Sequence, residues 1–148
     1  MEENYRFPLF VDLRGRSAVI VGGGKIALRR AEVLTRFGAA VTMIAPACAG
    51  VPEGVTWLER EYRPGDLEHA FLAVAATNDR DVNFRVGEEA RALGIFASIA
   101  DCAAESSFFF PAICTGSGLV AGVVSRGDAH SRTAEAAQKI RGVLEELT

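Results

Sequence analysis

A chain of 148 residues, 49% apolar and 24% charged, is long enough for one core and has an ordinary globular composition. A net charge of −3 argues against a nucleic-acid surface, and no apolar run approaches the ~20 residues of a membrane span. The acidic opening Met1-Glu2-Glu3-Asn4 lacks a signal-peptide core, so a cytoplasmic setting is expected, with neither nucleic acid nor membrane as partner.

Residues 5–14 read as a short apolar lead-in that packs on a sheet edge. The β-branched run Val19-Ile20-Val21 then enters Gly22-Gly23-Gly24-Lys25-Ile26-Ala27, which fits the dinucleotide fingerprint Gly-x-Gly-x-x-Ala. Gly22 permits the tight turn, Gly24 lets backbone approach a pyrophosphate, and Ala27 lets the helix pack on the strand. The helix spans 26–37, with Ala27, Ala31 and Leu34 on its buried face, and Gly38 stops it. Residues 40–45 form a second strand, which completes a βαβ unit. Residues 47–54 are loop, 55–59 a short strand, and 62–66 a turn with Asp66 as a helix cap. The wholly apolar run 71–76 suits a parallel strand covered on both faces. A helix follows to about Leu93, with Val82, Val86, Ala90 and Leu93 as its buried stripe, and 95–99 form the next strand. This alternation predicts an α/β fold, a Rossmann-like doubly wound parallel sheet over residues 1–105.

Beyond residue 105 the pattern changes. Residues 108–114 and 119–125 read as two strands of a hairpin joined by Thr115-Gly116-Ser117-Gly118. A final helix over 131–147 carries Ala134, Ala137, Ile140, Leu144 and Leu147 on its apolar side. A hairpin and one helix bury little apolar surface alone, and Phe108-Phe109-Phe110 need cover. Residues 106–148 are therefore read as a dimerisation segment that meets a second copy of itself, packing back on its own sheet being the plainer reading.

In an open parallel sheet the ligand lies beyond the carboxyl ends of the strands. Gly22, Gly23, Gly24, Lys25 and Ile26 stand there on the glycine turn, and Ala45 and Pro46 at the end of the second strand. No acid follows that second strand to hold a ribose 2′-hydroxyl and no Arg to hold a 2′-phosphate, so the loop alone does not choose between NAD and NADP. Thr77 and Asn78 are expected at the nicotinamide half of the cofactor, with Asp79 as a helix cap. Asp101, after Ile99-Ala100, is the candidate acid–base residue: a partly buried carboxylate there would have a raised pKa and take a proton as hydride leaves. Its plainer reading is a turn residue before Ser106-Ser107. The cysteines Cys48, Cys102 and Cys114 fit no zinc or CxxC spacing and read as reduced thiols, Cys102 being notable beside Asp101. His69 sits in a charged, solvated stretch, and no resident metal is expected.

Taken together, Phe7-Pro8-Leu9-Phe10, Ala18 to Ala27 with Arg29-Arg30-Ala31, Gly38-Ala39, Ala45-Pro46, Val74 to Asp79 with Val82-Asn83, and Asp101 before Phe110-Pro111-Ala112 resemble the precorrin-2 dehydrogenase family, the dehydrogenase module of siroheme synthases. The likeness covers nearly the whole chain in order. It implies NAD-dependent oxidation of the tetrapyrrole precorrin-2 to sirohydrochlorin, a catalytic role for the residue at Asp101, and a homodimer. Some members of that family also insert Fe²⁺, an activity left open here. Members usually continue into a small helical module over the substrate cleft, which is expected to be absent from a chain ending at Thr148. The run Ser125-Arg126-Gly127-Asp128-Ala129-His130-Ser131-Arg132 also departs from the family pattern. Arg126, His130 and Arg132 could meet tetrapyrrole carboxylates, an exposed polar turn being the plainer reading. The competing functional readings are an NAD-sensing module and a non-catalytic dimerisation module.

Overall fold

A computed structural model describes residues 5–127 and 130–147. Two compact units emerge, Val11–Phe108 and Met1–Phe10 with Phe109–Thr148.

The first unit is a five-stranded sheet. Strands β1 (Ser17–Val21), β2 (Ala40–Ile44), β3 (Thr56–Leu58), β4 (Leu72–Ala75) and β5 (Phe96–Ile99) lie in the order β3-β2-β1-β4-β5, every pair parallel. Helix α1 (Lys25–Arg36) crosses from β1 to β2, and α2 (Arg80–Leu93) from β4 to β5. Because β2 and β4 flank β1 on opposite sides, the chain reverses its winding at β1, the switch point where such sheets bind ligands. The register sets Val21 opposite Ile44 and Ala75, and Ala75 opposite Ile99, so the carboxyl ends of four strands finish level.

Packing follows from the alternation along each strand. Val19, Val21, Ala73, Ala75, Ala97 and Ile99 join Val86 and Ala90 of α2 in one core. Ala18, Ile20, Leu72 and Val74, also buried, point to the opposite face, while Ala27, Ala31 and Leu34 of α1 are buried as expected. The stripe of α2 differs from expectation: Val86 and Ala90 are buried, but Leu93 is 44% exposed and Asn83 fully buried. Leu93 stands in the last turn, before the left-handed Gly94 that ends the helix.

Between β3 and β4 the described residues form turns and no helix, so Asp66 does not cap one. Its carboxylate instead takes two bonds from Arg60, at 2.8 and 2.9 Å, and one from the Arg63 N–H at 2.7 Å. Glu89 of α2 ties the same crossover to that helix, accepting from Tyr62 Oη at 2.8 Å, Gly65 N–H at 2.6 Å and Leu67 N–H at 2.7 Å. The outer edge of β5 is closed by hydroxyls in place of a sixth strand: Ser107 Oγ accepts from Ala97 N–H and Ser106 Oγ from Ile99 N–H, each at 2.9 Å.

In the second unit β6 (Ala112–Gly116) and β7 (Leu119–Val123) form an antiparallel hairpin, with α3 (His130–Glu146) packed on it through Ala137 and Leu144 against Cys114. The turn is tighter than expected. Gly116 pairs with Leu119, and Ser117 and Gly118, both at positive φ (52° and 76°), make the two-residue connection a twisted hairpin favours. Phe108–Pro111 are not strand, since ladder pairing begins only after Pro111, which has no N–H to donate. Ala134 is exposed and Leu147 is 47% exposed, so the buried face of α3 is narrower than expected. The lead-in residues 5–10 group with this unit, where Arg6 lies over the Phe109 ring, 3.8 Å from its centroid, and donates to the Ser125 carbonyl.

Candidate functional site at the carboxyl edge of the sheet

The glycine turn after β1 carries three different constraints. Gly22 has φ +131°, and a Cβ there would lie 2.3 Å from the Ala76 carbonyl oxygen. A Cβ on Gly23 would lie 2.1 Å from the Ala47 carbonyl oxygen and 3.0 Å from Ala45 Cβ. These two glycines let the turn sit directly against the ends of β4 and β2. A Cβ on Gly24 would meet nothing within 4 Å. Gly24 is the N-cap of α1, it offers no side-chain cap, and the first turn contains no acid. The N-terminal N–H groups of α1 therefore face open space with the positive end of the helix dipole behind them, an arrangement suited to phosphate. Lys25 and Ile26 are both exposed in that first turn. Ala45 is buried, its carbonyl accepting from Trp57 Nε1 at 3.0 Å, while Pro46 is exposed beyond it.

Across the switch point the Thr77 loop is held from below by Asn83. The fully buried amide accepts from the Thr77 N–H at 3.2 Å and donates to its carbonyl at 3.1 Å. It also takes the Thr77 hydroxyl on Oδ1 at 2.6 Å. The hydroxyl of Thr77 is thus committed to shaping the loop, and the exposed Asn78 stands at its tip. Asp79 caps α2 as expected, accepting from Asp81 N–H at 2.9 Å and Val82 N–H at 3.3 Å. Asn83 carries a pattern signal, a polar residue inside an apolar helical stripe, that sequence reasoning passed over.

Asp101 lies in the turn after β5 but is not buried as expected. Its side chain is 39% exposed, and Oδ1 takes a bond from Arg80 Nη1 at 2.8 Å. The short 3₁₀ turn η1 (Ala103–Glu105) follows directly after this turn. The second branch of Arg80 bonds Glu105. Burial works against the Arg80 cation, but the bond to Glu105 and the charge of Asp101 outweigh it and hold its pKa above the ordinary value. Neither Arg80 nor Glu105 was visible as a site residue, since 21 and 25 positions separate Arg80 from its two partners.

Gly22, Gly23, Gly24, Lys25, Ile26, Ala45, Pro46, Thr77, Asn78 and Asp101 thus all stand at or beyond the level carboxyl ends of β1, β2, β4 and β5. Arg126, His130 and Arg132 belong to the second unit, all exposed, with 128–129 between them outside the described residues. Among the described residues no group of three or more His, Cys, Asp or Glu is placed to hold a metal, and no helix is long and apolar enough to cross a membrane.

Comparison with known proteins agrees with this geometry. The chain is 43% identical over 145 residues to the "Probable multifunctional siroheme biosynthesis protein HemA" of Ruminiclostridium josui, covering 93% of this chain and 28% of that protein. It is 42% identical over 131 residues to the siroheme synthase of Stutzerimonas stutzeri (strain A1501), covering 82% of this chain and 28% of that one. It therefore spans about a quarter of the length of these curated relatives. Among solved structures it is similar to SirC, precorrin-2 dehydrogenase, with a TM-score of 0.73 and 25% identity over 95% of this chain and 72% of that one. A family model described as "Putative NAD(P)-binding" matches residues 9–112, the span that holds the whole sheet and its bare glycine turn, and the chain belongs to that NAD(P)-binding family.

Proposed function

We propose that this chain oxidises precorrin-2 to sirohydrochlorin with NAD⁺ as the acceptor. The observation that carries the reading is the uncapped glycine turn level with Asp101 at one edge of the sheet, in a chain similar to siroheme-forming proteins over most of its length. Bound NAD⁺ would supply the hydride acceptor, so that the tetrapyrrole would lose a hydride to it and a proton to base, two electrons and two hydrogens in all, balanced by NADH and H⁺.

The chain's own residues divide this work. Backbone N–H groups of Gly24, Lys25 and Ile26 bind the pyrophosphate, and the Lys25 ammonium adds charge. Ala45 and Pro46 border the ribose. Directly after β2 stands neither an acid for a ribose 2′-hydroxyl nor a base for a 2′-phosphate, so the choice of NAD rests on the likeness to precorrin-2 dehydrogenase. The loop at Thr77 and Asn78 borders the nicotinamide half, Thr77 through its backbone. Asp101, exposed at the edge, accepts the proton. Arg126, His130 and Arg132 bind substrate carboxylates.

The second unit is the homodimer contact: Leu119, Val120, Val124 and Val143 are 38–59% exposed on a hairpin and one helix. Calorimetric titration with NAD⁺, paired with turnover of Asp101→Asn, tests the enzymatic reading. Cofactor binding retained with turnover lost is the expected result. A chain that binds no NAD⁺, or an Asp101→Asn variant as fast as the parent, overturns it.

A further inference from the structure

Arg80 is the first residue of α2, between the capping Asp79 and Asp81. A cation in that turn faces the positive end of the helix dipole, so the helix itself gains nothing from it. Asp81, which would complement it locally, pairs instead with Arg85 at 3.3 Å. The Arg80 guanidinium reaches away to the turn after β5, with Nη1 2.8 Å from Asp101 Oδ1 and Nη2 on Glu105. With Arg80 and Asp101 side chains 47% and 39% exposed, the pair adds little stability.

The bridge does fix a direction. Glu105 ends η1 and is the less exposed acid, at 22%. Its turn is tied to β5 through Ser106 Oγ, which takes the Ile99 N–H at 2.9 Å. One branch of the planar fork is thus anchored on Glu105, and the other holds Oδ1 of Asp101, leaving Oδ2 outside the contact.

We propose that Arg80 is a positioning residue for the oxidation, an anchored fork that aims the free oxygen of Asp101 at the substrate proton, with Glu105 as its anchor. The inference rests on the proposed role of Asp101 as proton acceptor. A local rule broken without local compensation is the pattern found at functional sites.

The test uses the full chain and the variants Arg80→Gln, Arg80→Lys, Glu105→Gln and Asp101→Asn, with Arg85→Gln as the control that removes a cation from α2 without touching Asp101. Arg80→Gln lowers kcat by about 10- to 100-fold, as misaimed catalytic groups do, while NAD⁺ affinity and thermal midpoint stay at parental values. Glu105→Gln lowers kcat in the same direction but less, and adds little on top of Arg80→Gln. Arg80→Lys recovers part of the loss, since one ammonium reaches one carboxylate. Arg85→Gln leaves kcat unchanged. An Arg80→Gln variant with parental kcat overturns the inference, as does one whose only defect is a lowered thermal midpoint. If Asp101→Asn also keeps parental kcat, the proton-acceptor reading itself fails; if Asp101→Asn is inactive, that reading stands and only Arg80 is dismissed.

Discussion

Gly23 and Gly24 are neighbours of the same type, yet the structure assigns them opposite consequences on substitution. A Cβ at Gly23 would sit 2.1 Å from the Ala47 carbonyl oxygen, far inside contact distance, and the obstacle is backbone that cannot rotate away. Gly23→Ala must therefore push the turn off the end of β2, a packing strain of about 1–3 kcal/mol. At this chain length that lowers the thermal midpoint by about 2–4 °C for each kcal/mol. Gly24 has φ −86° and ψ −171°, extended backbone open to any residue, and open space where a Cβ would go. In Gly24→Ala the entropy removed from the unfolded chain, worth about 0.4–1 kcal/mol, offsets a loss of similar size from placing Ala at the cap, so stability hardly changes. The methyl group instead enters the space in front of the α1 N-terminus and weakens NAD⁺ by tenfold or more, about 1.4 kcal/mol. Urea denaturation and calorimetric NAD⁺ titration of both variants separate the two effects. A Gly24→Ala chain that binds NAD⁺ like the parent refutes the assignment of this turn to the pyrophosphate. A Gly23→Ala chain of parental stability refutes the close approach to β2.

Three further outcomes follow from the polar contacts. Glu89→Ala leaves the Leu67 and Gly65 N–H groups and the Tyr62 hydroxyl without their acceptor, costing about 2–4 kcal/mol in urea denaturation, and Glu89→Gln recovers part of it. Asn83→Leu removes the support beneath Thr77; it lowers stability by about 1–3 kcal/mol and weakens NAD⁺ binding, whereas a loss of stability with unchanged binding disconnects that loop from the cofactor. Burial, then the bond to Glu89, pushes the Tyr62 phenol above its ordinary value of 10.0. The folded state then holds a proton that the unfolded chain releases, so this contribution is whole below pH 10.0 and is lost as pH rises above it. Tyr62→Phe flattens the alkaline limb of the stability–pH curve; an unchanged limb contradicts the assignment.

The parts of the fold readable from sequence were those fixed by local chemistry. β-Branched strands, glycine stops and the 3.6-residue stripe of α1 placed the βαβ unit and its turn because each signal spans a few residues. Asp79 was readable as a cap for the same reason. Leu93 keeps the periodicity of the stripe yet is exposed, because periodicity does not say how far along a helix its cover extends. Asp66 looked like a cap because its residue type suits both a helix start and the Arg60-bonded turn it actually forms. Phe108–Pro111 mimic a strand in hydropathy, but Pro111 delays the ladder. Asp101 was found by position at a strand end, whereas its exposure and its bond to Arg80 depend on the β4-α2-β5 crossover closing. Arg80 and Glu105 carry no local signature at all, because their pairing exists only once β4 and β5 lie side by side.

The central claim is that this edge of the sheet oxidises a tetrapyrrole through NAD⁺. Its most direct test is anaerobic incubation of the purified full chain with precorrin-2 and NAD⁺, following NADH absorbance and the sirohydrochlorin spectrum together. The account predicts both in equal amounts, with neither formed when NAD⁺ is omitted. NAD⁺ binding without any turnover of precorrin-2 would contradict it.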